Sequence, residues 1–377
     1  MKRPISIHPS IVFVVLVLLV APSAFLQHKN LPLLLFGAMC ISFGLTFIWS
    51  KLVIRNIEVR RIIQGPARAN EPYVIRYVVT NTSKLLAGFS IWIEECETKK
   101  STWQHAFRHA RGWIMEVGHR ESVHAESIFY PMQRGEYAFG AIRVSTSFPF
   151  GMLKSKRTIV QSATILVHPT VEQLKPDVIA AVLTEGPLGR HSKRSGRGGD
   201  DFFGLKEFTS GDRLVDIAWK SSAKRGGLVC VQRSISAPPR IRIILDLTTP
   251  TEKLNSEDDK RLIEEQAISL CASLLTEASS QGHEIGLTIL GVTGSCNAGM
   301  HSGSRHLGKL CSSLAKVKLD EDRLPMPTHL GLHAIHSGLI VIRPDKTKPI
   351  QQAKDAWYFT ASQFEHLKRD RKKEEVA

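Results

Sequence analysis

The sequence predicts an α/β plus all-β architecture: two N-terminal transmembrane helices, a small β-sandwich, then an α/β layer with a largely parallel sheet. Three observations carry this. Two long uncharged stretches open the chain, short β-type runs broken by turn residues fill residues 57–168, and strands alternate with helical periods after Pro169. The 377 residues are 43% apolar and 23% charged, an ordinary globular composition that excludes a disordered or collagenous protein. The length suits two or three domains and needs no disulfide staples.

The first stretch holds ten consecutive apolar residues, Ile11 to Val20, and continues to Leu26. The second, Leu31 to Trp49, is 19 residues without a charge, close to the roughly 20 that cross hydrocarbon as a helix. Spans are assigned to about 7–26 and 31–50, a hairpin over 1–55, joined by Gln27-His28-Lys29-Asn30. Lys2 and Arg3 precede the pair, and Lys51, Arg55, Arg60 and Arg61 follow it. The positive-inside rule then places both ends in the cytoplasm. A competing reading makes the first span a signal peptide, with Ala21 and Ser23 before a cleavage point. The six cysteines, at 40, 96, 230, 271, 296 and 311, show no CxxC spacing. They suggest a reducing compartment and neither a zinc site nor a disulfide framework.

Residues 56–170 read as the β-sandwich. Tyr73 to Thr80 is β-branched and aromatic, and Phe89 to Ile93, Ala141 to Val144 and Thr164 to Val167 alternate, with turn signals at Gly65-Pro66, Asn81-Thr82-Ser83 and Arg134-Gly135. Residues 171–240 form a basic Gly-rich segment. Residues 241–363 form the α/β domain. It has a strand from Ile241 ending at Asp246, a helix from Ser256 to Ser280 stopped by Gly282, and a strand from Glu284 to Leu290. A helix around Leu307 to Ala315 and a strand from Gly338 to Ile342 follow. Residues 364–377 are a charged tail.

The net charge is +15. Residues 1–63 carry seven basic and one acidic side chain, and residues 186–242 carry twelve against five, so nearly all the excess is membrane flank or basic segment. That leaves little reason to expect nucleic acid as a partner. Within the segment, Gly189 to Gly199 sets four basic residues among four glycines with no acid. Backbone amides and guanidinium forks there suit a phosphate or carboxylate. A mobile, solvated basic loop is the plain alternative. No GxxxxGK[ST], GxSxG or paired-carboxylate site is present, and the His105/His109 spacing lacks the Glu a zincin needs.

Arg197-x-Gly199-x-x-Phe202-x-x-Leu205, Gly211-Asp212 and Ile217-x-Trp219-Lys220-x-x-Ala223 together resemble the signature of the domain-of-unknown-function family fifty-eight. Arg134-Gly135-Glu136-Tyr137 followed by Ser147-Phe148-Pro149-Phe150-Gly151 is similar to a second stretch of that family. Lys206, Phe208, Val215, Ala218 and Lys224 stand where its members usually have Arg, Tyr, Arg, Asp and Arg. The resemblance implies a membrane-anchored bacterial protein of the cytoplasmic (inner) membrane with a von Willebrand A-like α/β domain. It also implies association with a MoxR-type AAA+ ATPase. On that basis a non-enzymatic adaptor or scaffold is expected, with Lys193, Arg194, Arg197, Gly199, Asp212, Trp219 and Lys220 as partner-binding residues.

A von Willebrand A-like domain can hold a divalent cation through an Asp, hydroxyls and a further Asp. The loop here reads Asp246-Leu247-Thr248-Thr249-Pro250, with Asp345 after a later strand and Ser302 or Ser304 as a distal hydroxyl. Asp246, Thr248 and Asp345 are therefore the candidate ligands, and Mg2+ the one cofactor to consider. The alternative functions are a divalent-cation-dependent binding module and a phosphate- or nucleic-acid-binding protein using the basic loop.

Overall fold

The structure, a computed structural model, describes residues 9–26, 30–96, 111–151, 153–175, 177–185, 194–195, 201–210, 212–235, 240–249, 257–293, 296–327, 338–345, 350, 353 and 356–369. It shows a mixed α/β fold with an apolar helical N-terminus and a curled, open β-sheet. The chain divides into two compact units, Met1–His168 and Pro169–Ala377.

The first unit begins with helices α1 (Pro9–Leu26) and α2 (Asn30–Arg55). They pack side by side, with Phe13 stacked on Phe43 and Phe25 edge-on to Phe36. Among the described residues α2 alone is long and apolar enough to cross a membrane, and only 6% of its apolar window is buried. Helix α1 has 18 residues with a shorter apolar core, Ile11–Phe25, so the two expected spans differ in strength.

After α2 come β1 (Ile57–Ile62), β2 (Ala67–Arg68), β3 (Tyr73–Asn81), β4 (Gly88–Cys96), β5 (Arg111–Val117), β6 (Ser122–Phe129), β7 (Gly135–Thr146) and β8 (Ser155–His168). They form a three-stranded sheet, β1-β3-β6, and a five-stranded sheet, β2-β8-β7-β4-β5. Strict alternation on β1, with Ile57, Val59 and Arg61 buried, turns one face inward. Both sheets feed one core that includes Ile75, Tyr77, Val79, Ile91, Ile93, Phe129, Tyr137 and Val144.

Arg61 corrects one expectation. Rather than flanking the membrane, its guanidinium is buried between the sheets, donating Nε to Glu95 Oε1 at 2.8 Å and Nη2 to Oε2 at 2.5 Å. Tyr77 donates to the same carboxylate at 2.7 Å, and Ser127 donates to Tyr77. Burial, and after it the Glu95 charge, pushes the Tyr77 phenol far above the usual tyrosine range, which keeps it a donor. Arg61 also bonds the Gln161 carbonyl on β8 and lies over the Phe139 ring.

The second unit contains α3 (Asp177–Glu185), β9 (Arg194–Ser195), β10 (Asp201–Glu207), α4 (Trp219–Arg225), β11 (Val229–Ile235), β12 (Arg240–Asp246), α5 (Glu257–Ser280), β13 (Glu284–Leu290), α6 (Ser304–Ala315), β14 (Gly338–Arg343), β15 (Trp357–Thr360) and α7 (Phe364–Leu367). Strands β13-β12-β14-β15 form a parallel sheet in that order. Strands β12 and β13 are buried along almost their whole length and read as mostly apolar runs, as parallel strands covered on both faces do. Ile241, Ile243 and Leu245 face α5, while Ile244 faces Val341, Ile350 and Ala353.

Two boundaries shift. The start of the expected 171–240 segment belongs to the α/β core, because Leu174, Val178, Ile179 and Val182 are buried in it. The tail begins as docked structure, with Phe364 buried and Leu174 bridged to Lys368. Residues 370–377 lie outside the described residues.

The chain also departs from a simple strand–helix–strand crossover after β13. Residues 296–301 run antiparallel back along β13, with Asn297 opposite Thr288 and His301 opposite Ile285. Arg242 pins this return, donating to Thr288 Oγ1 at 3.0 Å and to Asn297 Oδ1 at 2.7 Å.

Two outcomes follow for the first unit. Glu95→Ala leaves Arg61 buried without its carboxylate, and thermal or urea unfolding should show a loss of about 3–5 kcal/mol; the double replacement Arg61→Met with Glu95→Met should lie closer to wild type. Burial, assisted by Arg68, lowers the His168 pKa below its usual value near 6.5. The unfolded chain therefore takes up the proton first, so stability should fall as pH drops through about 6.5, and His168→Gln should flatten that slope.

Candidate functional site

Two places gather the residues that the sequence singles out. The first is the carboxyl end of the parallel sheet. Strand β12 is followed in space by β13 on one side and β14 on the other, so the chain reverses direction of travel between β12 and β14. Loops diverge at such a switch point and leave a crevice where open α/β sheets hold ligands. Asp246 ends β12, and Arg343 ends β14.

Asp246 is buried and its two oxygens are both engaged. Oδ1 accepts from Thr248 N at 3.1 Å and from Thr248 Oγ1 at 2.7 Å. Oδ2 lies 2.6 Å from Arg343 Nη2, an ion pair off the line of a hydrogen bond. Arg343 is itself buried and sits 5.8 Å from the centre of the Tyr358 ring. The loop reaches this position because Gly291, at φ +85°, faces Leu247 and the Thr248 amide with no room for a Cβ.

These residues do not fit a divalent cation. Arg343 supplies the positive charge against Asp246, Pro250 has no side-chain oxygen, and Thr248 is spent on Asp246. Ser302 and Ser304 are also misplaced: the antiparallel return carries them to the amino end of β13, about 17 Å of strand from the Asp246 end. Asp345 stands two residues beyond Arg343, with a buried Oδ2 that has no hydrogen bond among the described residues. No group of three or more His, Cys, Asp or Glu side chains is placed to hold a metal among the described residues.

The second place is the basic Gly-rich segment. Strands β10 and β11 form an antiparallel hairpin, and β9 pairs with the far edge of β11, which sets Arg194 opposite Ile235. Between β10 and β11 the chain makes a tight polar turn. Asp212 accepts from Thr209 N at 3.0 Å and pairs with Lys206 at 2.5 Å, which holds the turn in shape. Helix α4 ends at Gly226, which takes φ +72° and donates to the Ser222 carbonyl. Ser222 also accepts from Val229 N, tying α4 to the hairpin.

This scaffold leaves apolar side chains facing outward. Val215 is 90% exposed, Leu214 69% and Trp219 67%. Exposed Arg213, Lys220, Lys224 and Arg225 stand beside them in sequence. Of the expected partner-binding residues, Trp219 and Lys220 are therefore surface groups on one short helix. Lys193, Arg197 and Gly199 lie outside the described residues, as do His105 and His109, and of Arg194 only the backbone position is described. Leu214 and Val215 carry no role in the sequence reading. Their signal is an apolar pair inside a charged stretch.

No family model matches the sequence, and no curated protein matches it. Among solved structures, one similarity is to AggA, the major subunit of aggregative adherence fimbriae type I from Escherichia coli (13% identity, 29% of this chain and 95% of that one, TM-score 0.18). Others are to the pilus adhesin RrgA of Streptococcus pneumoniae (10% identity, 68% of this chain, 40% of that one, TM-score 0.21) and to a GH20 exo-β-N-acetylglucosaminidase from Vibrio harveyi (10%, 63%, 47%, TM-score 0.16). The chain thus spans less than half the length of the last two, and likenesses this weak carry no argument.

The pairing at the switch point has a measurable consequence. Millimolar Mg2+ should leave the melting temperature of the wild-type chain unchanged, while Asp246→Ala, which strands the Arg343 charge, should cost about 3–5 kcal/mol. A rise in melting temperature with Mg2+ in the wild type would overturn the assignment of that charge to Arg343.

Proposed function

We propose that this chain is a membrane-anchored, non-enzymatic adaptor or scaffold that binds a protein partner on the cytoplasmic side. Its anchor is α2, paired with α1 as a two-pass hairpin with both termini cytoplasmic. The interhelical ring contacts support that pairing, and the basic residues at both ends support the orientation. We read the first unit as a β-sandwich and the second as a von Willebrand A-like domain. The parallel order β13-β12-β14-β15, with Asp246 at the switch point, supports the second reading.

The observation that carries the proposal is the exposed Leu214, Val215 and Trp219 set beside four basic side chains. An exposed large aromatic with apolar and charged sequence neighbours is the composition of an interface centre. The basic rim selects an acidic partner surface, and anchoring raises local concentration. The partner class, a MoxR-type AAA+ ATPase, comes from the resemblance in the signature segment. The cation-dependent alternative is disfavoured by the Arg343–Asp246 pair.

Capture from solubilised membranes tests this with the full chain. Trp219→Ala and Val215→Asp should each weaken retention of the ATPase, for Trp219 by about 2 kcal/mol or more, roughly thirtyfold in Kd. Both residues are exposed, so thermal stability should hold. An unchanged set of captured partners in both variants would refute the proposal.

A further inference from the structure

The junction between α2 and the first unit is built more firmly than a tether requires. The uncharged part of α2 ends at Ser50, and Lys51 is the first charge. The hydrocarbon boundary on this side therefore falls at the level of Trp49 to Lys51, the depth that tryptophan favours. The β7–β8 loop meets the helix at this level. Phe148 lies 6.5 Å from the Trp49 ring and 4.7 Å from Phe89, centroid to centroid. Ser155 Oγ shares a 2.7 Å hydrogen bond with Ser50 Oγ. Both ends of loop 147–154 are thus held about 7 Å up the helix from its end at Arg55.

Below them the helix terminus is clamped. Arg157 Nη1 donates to the Arg55 carbonyl at 2.6 Å and lies within reach of the Ile54 and Ile57 carbonyls. On another side, Thr82 N donates to the Asn56 carbonyl, and a Cβ on Gly88 would sit 3.3 Å from Val53. The loop between Thr82 and Gly88 therefore also borders the helix.

Both loops point apolar residues outward. Phe150 is 54% exposed and Leu85 90%. Exposed Lys84, Lys154 and Lys156 stand beside them; of these, Lys154 has Glu94 at 3.9 Å. Aromatic and aliphatic tips with lysine neighbours, the first held at the boundary depth and the second bordering the helix between there and its end, match a bilayer surface: apolar tips enter the headgroup layer and lysines meet lipid phosphates.

We propose that the first unit rests on the membrane face itself, with Phe150 and Leu85 seated in the headgroup layer and Lys154 and Lys156 against anionic phospholipid. This rests on α2 crossing the bilayer. The unit is then a fixed platform on the lipid surface, and its orientation is set by two lipid-seated loops as well as by the helix.

The test uses the full chain in nanodiscs containing phosphatidylglycerol, with photoreactive benzoylphenylalanine replacing Phe150, Leu85 or Ile128 in turn. Ile128 is exposed but lies near the far end of β6, about 20 Å along the strand from Ser122. Illumination should give lipid adducts at 150 and 85 and none at 128, read by mass spectrometry. Lys154→Glu with Lys156→Glu should lower the yield at 150 in phosphatidylglycerol discs but not in phosphatidylcholine discs. Equal yields at 150 and 128, or adducts to protein alone at 150, would overturn the proposal. Alkaline carbonate extraction separates the two readings: a chain that is stripped refutes the span. A chain that is retained without an adduct at 150 refutes only the lipid seating.

Discussion

The buried pair between Arg61 and Glu95 is the constraint on which the first unit is organised. The two side chains are almost wholly removed from water, at 1% and 0% exposure. An ion pair in that setting is not a source of great stability, because desolvation offsets most of the attraction. What it supplies is selection. A one-residue slip of β1 would turn Arg61 outward and bring Arg60 or Ile62 to the core face, leaving the buried Glu95 carboxylate without its counter-charge. The register that survives places Ile57 and Val59 in the core directly after α2, and so it fixes how the helix enters the sheets. The Arg157 clamp and the Trp49–Phe148 contact depend on that entry.

The second unit uses polar groups differently. Its centre is an apolar parallel sheet with helix α5 against it, and buried charges sit at opposite ends of β12. Arg242 near the amino end holds the 296–301 return in place, and burial pulls its guanidinium below the usual range. Asp246 at the carboxyl end meets Arg343. Each is partnered by groups from a neighbouring strand or loop, so the ends of the sheet are tied by charge and the middle by packing.

Much of the fold is legible in the sequence where one periodicity dominates. Strand β13 runs from Glu284 to Leu290 as its apolar run indicates, and α5 starts one residue from the expected Ser256. Strand β5 is not legible, because Trp113 and Met115 on its exposed face erase the alternation. Strand β6 hides for the opposite reason, a Ser127 facing inward to bond Tyr77. Helix α3 leaves a signal in Val178, Ile179 and Val182 that a loop-like context obscures. At the candidate site, Asp246 and Thr248 are legible as neighbours, but the role of Arg343 is not: ion pairs between distant strands have no local pattern. Arg61 misleads for the same reason, since a charge just past a membrane segment reads as a flank until its partner on β4 is seen.

The antiparallel return at 296–301 has a consequence for association. An open sheet exposes unpaired amides and carbonyls along its outer strands, where another chain can add a strand. Here the β13 side is hemmed by the chain's own backbone, with Ile285, Leu287 and Ile289 already bonded to His301, Ala298 and Cys296. Strand addition is blocked on that edge, and the sheet is protected there from templating its own aggregation.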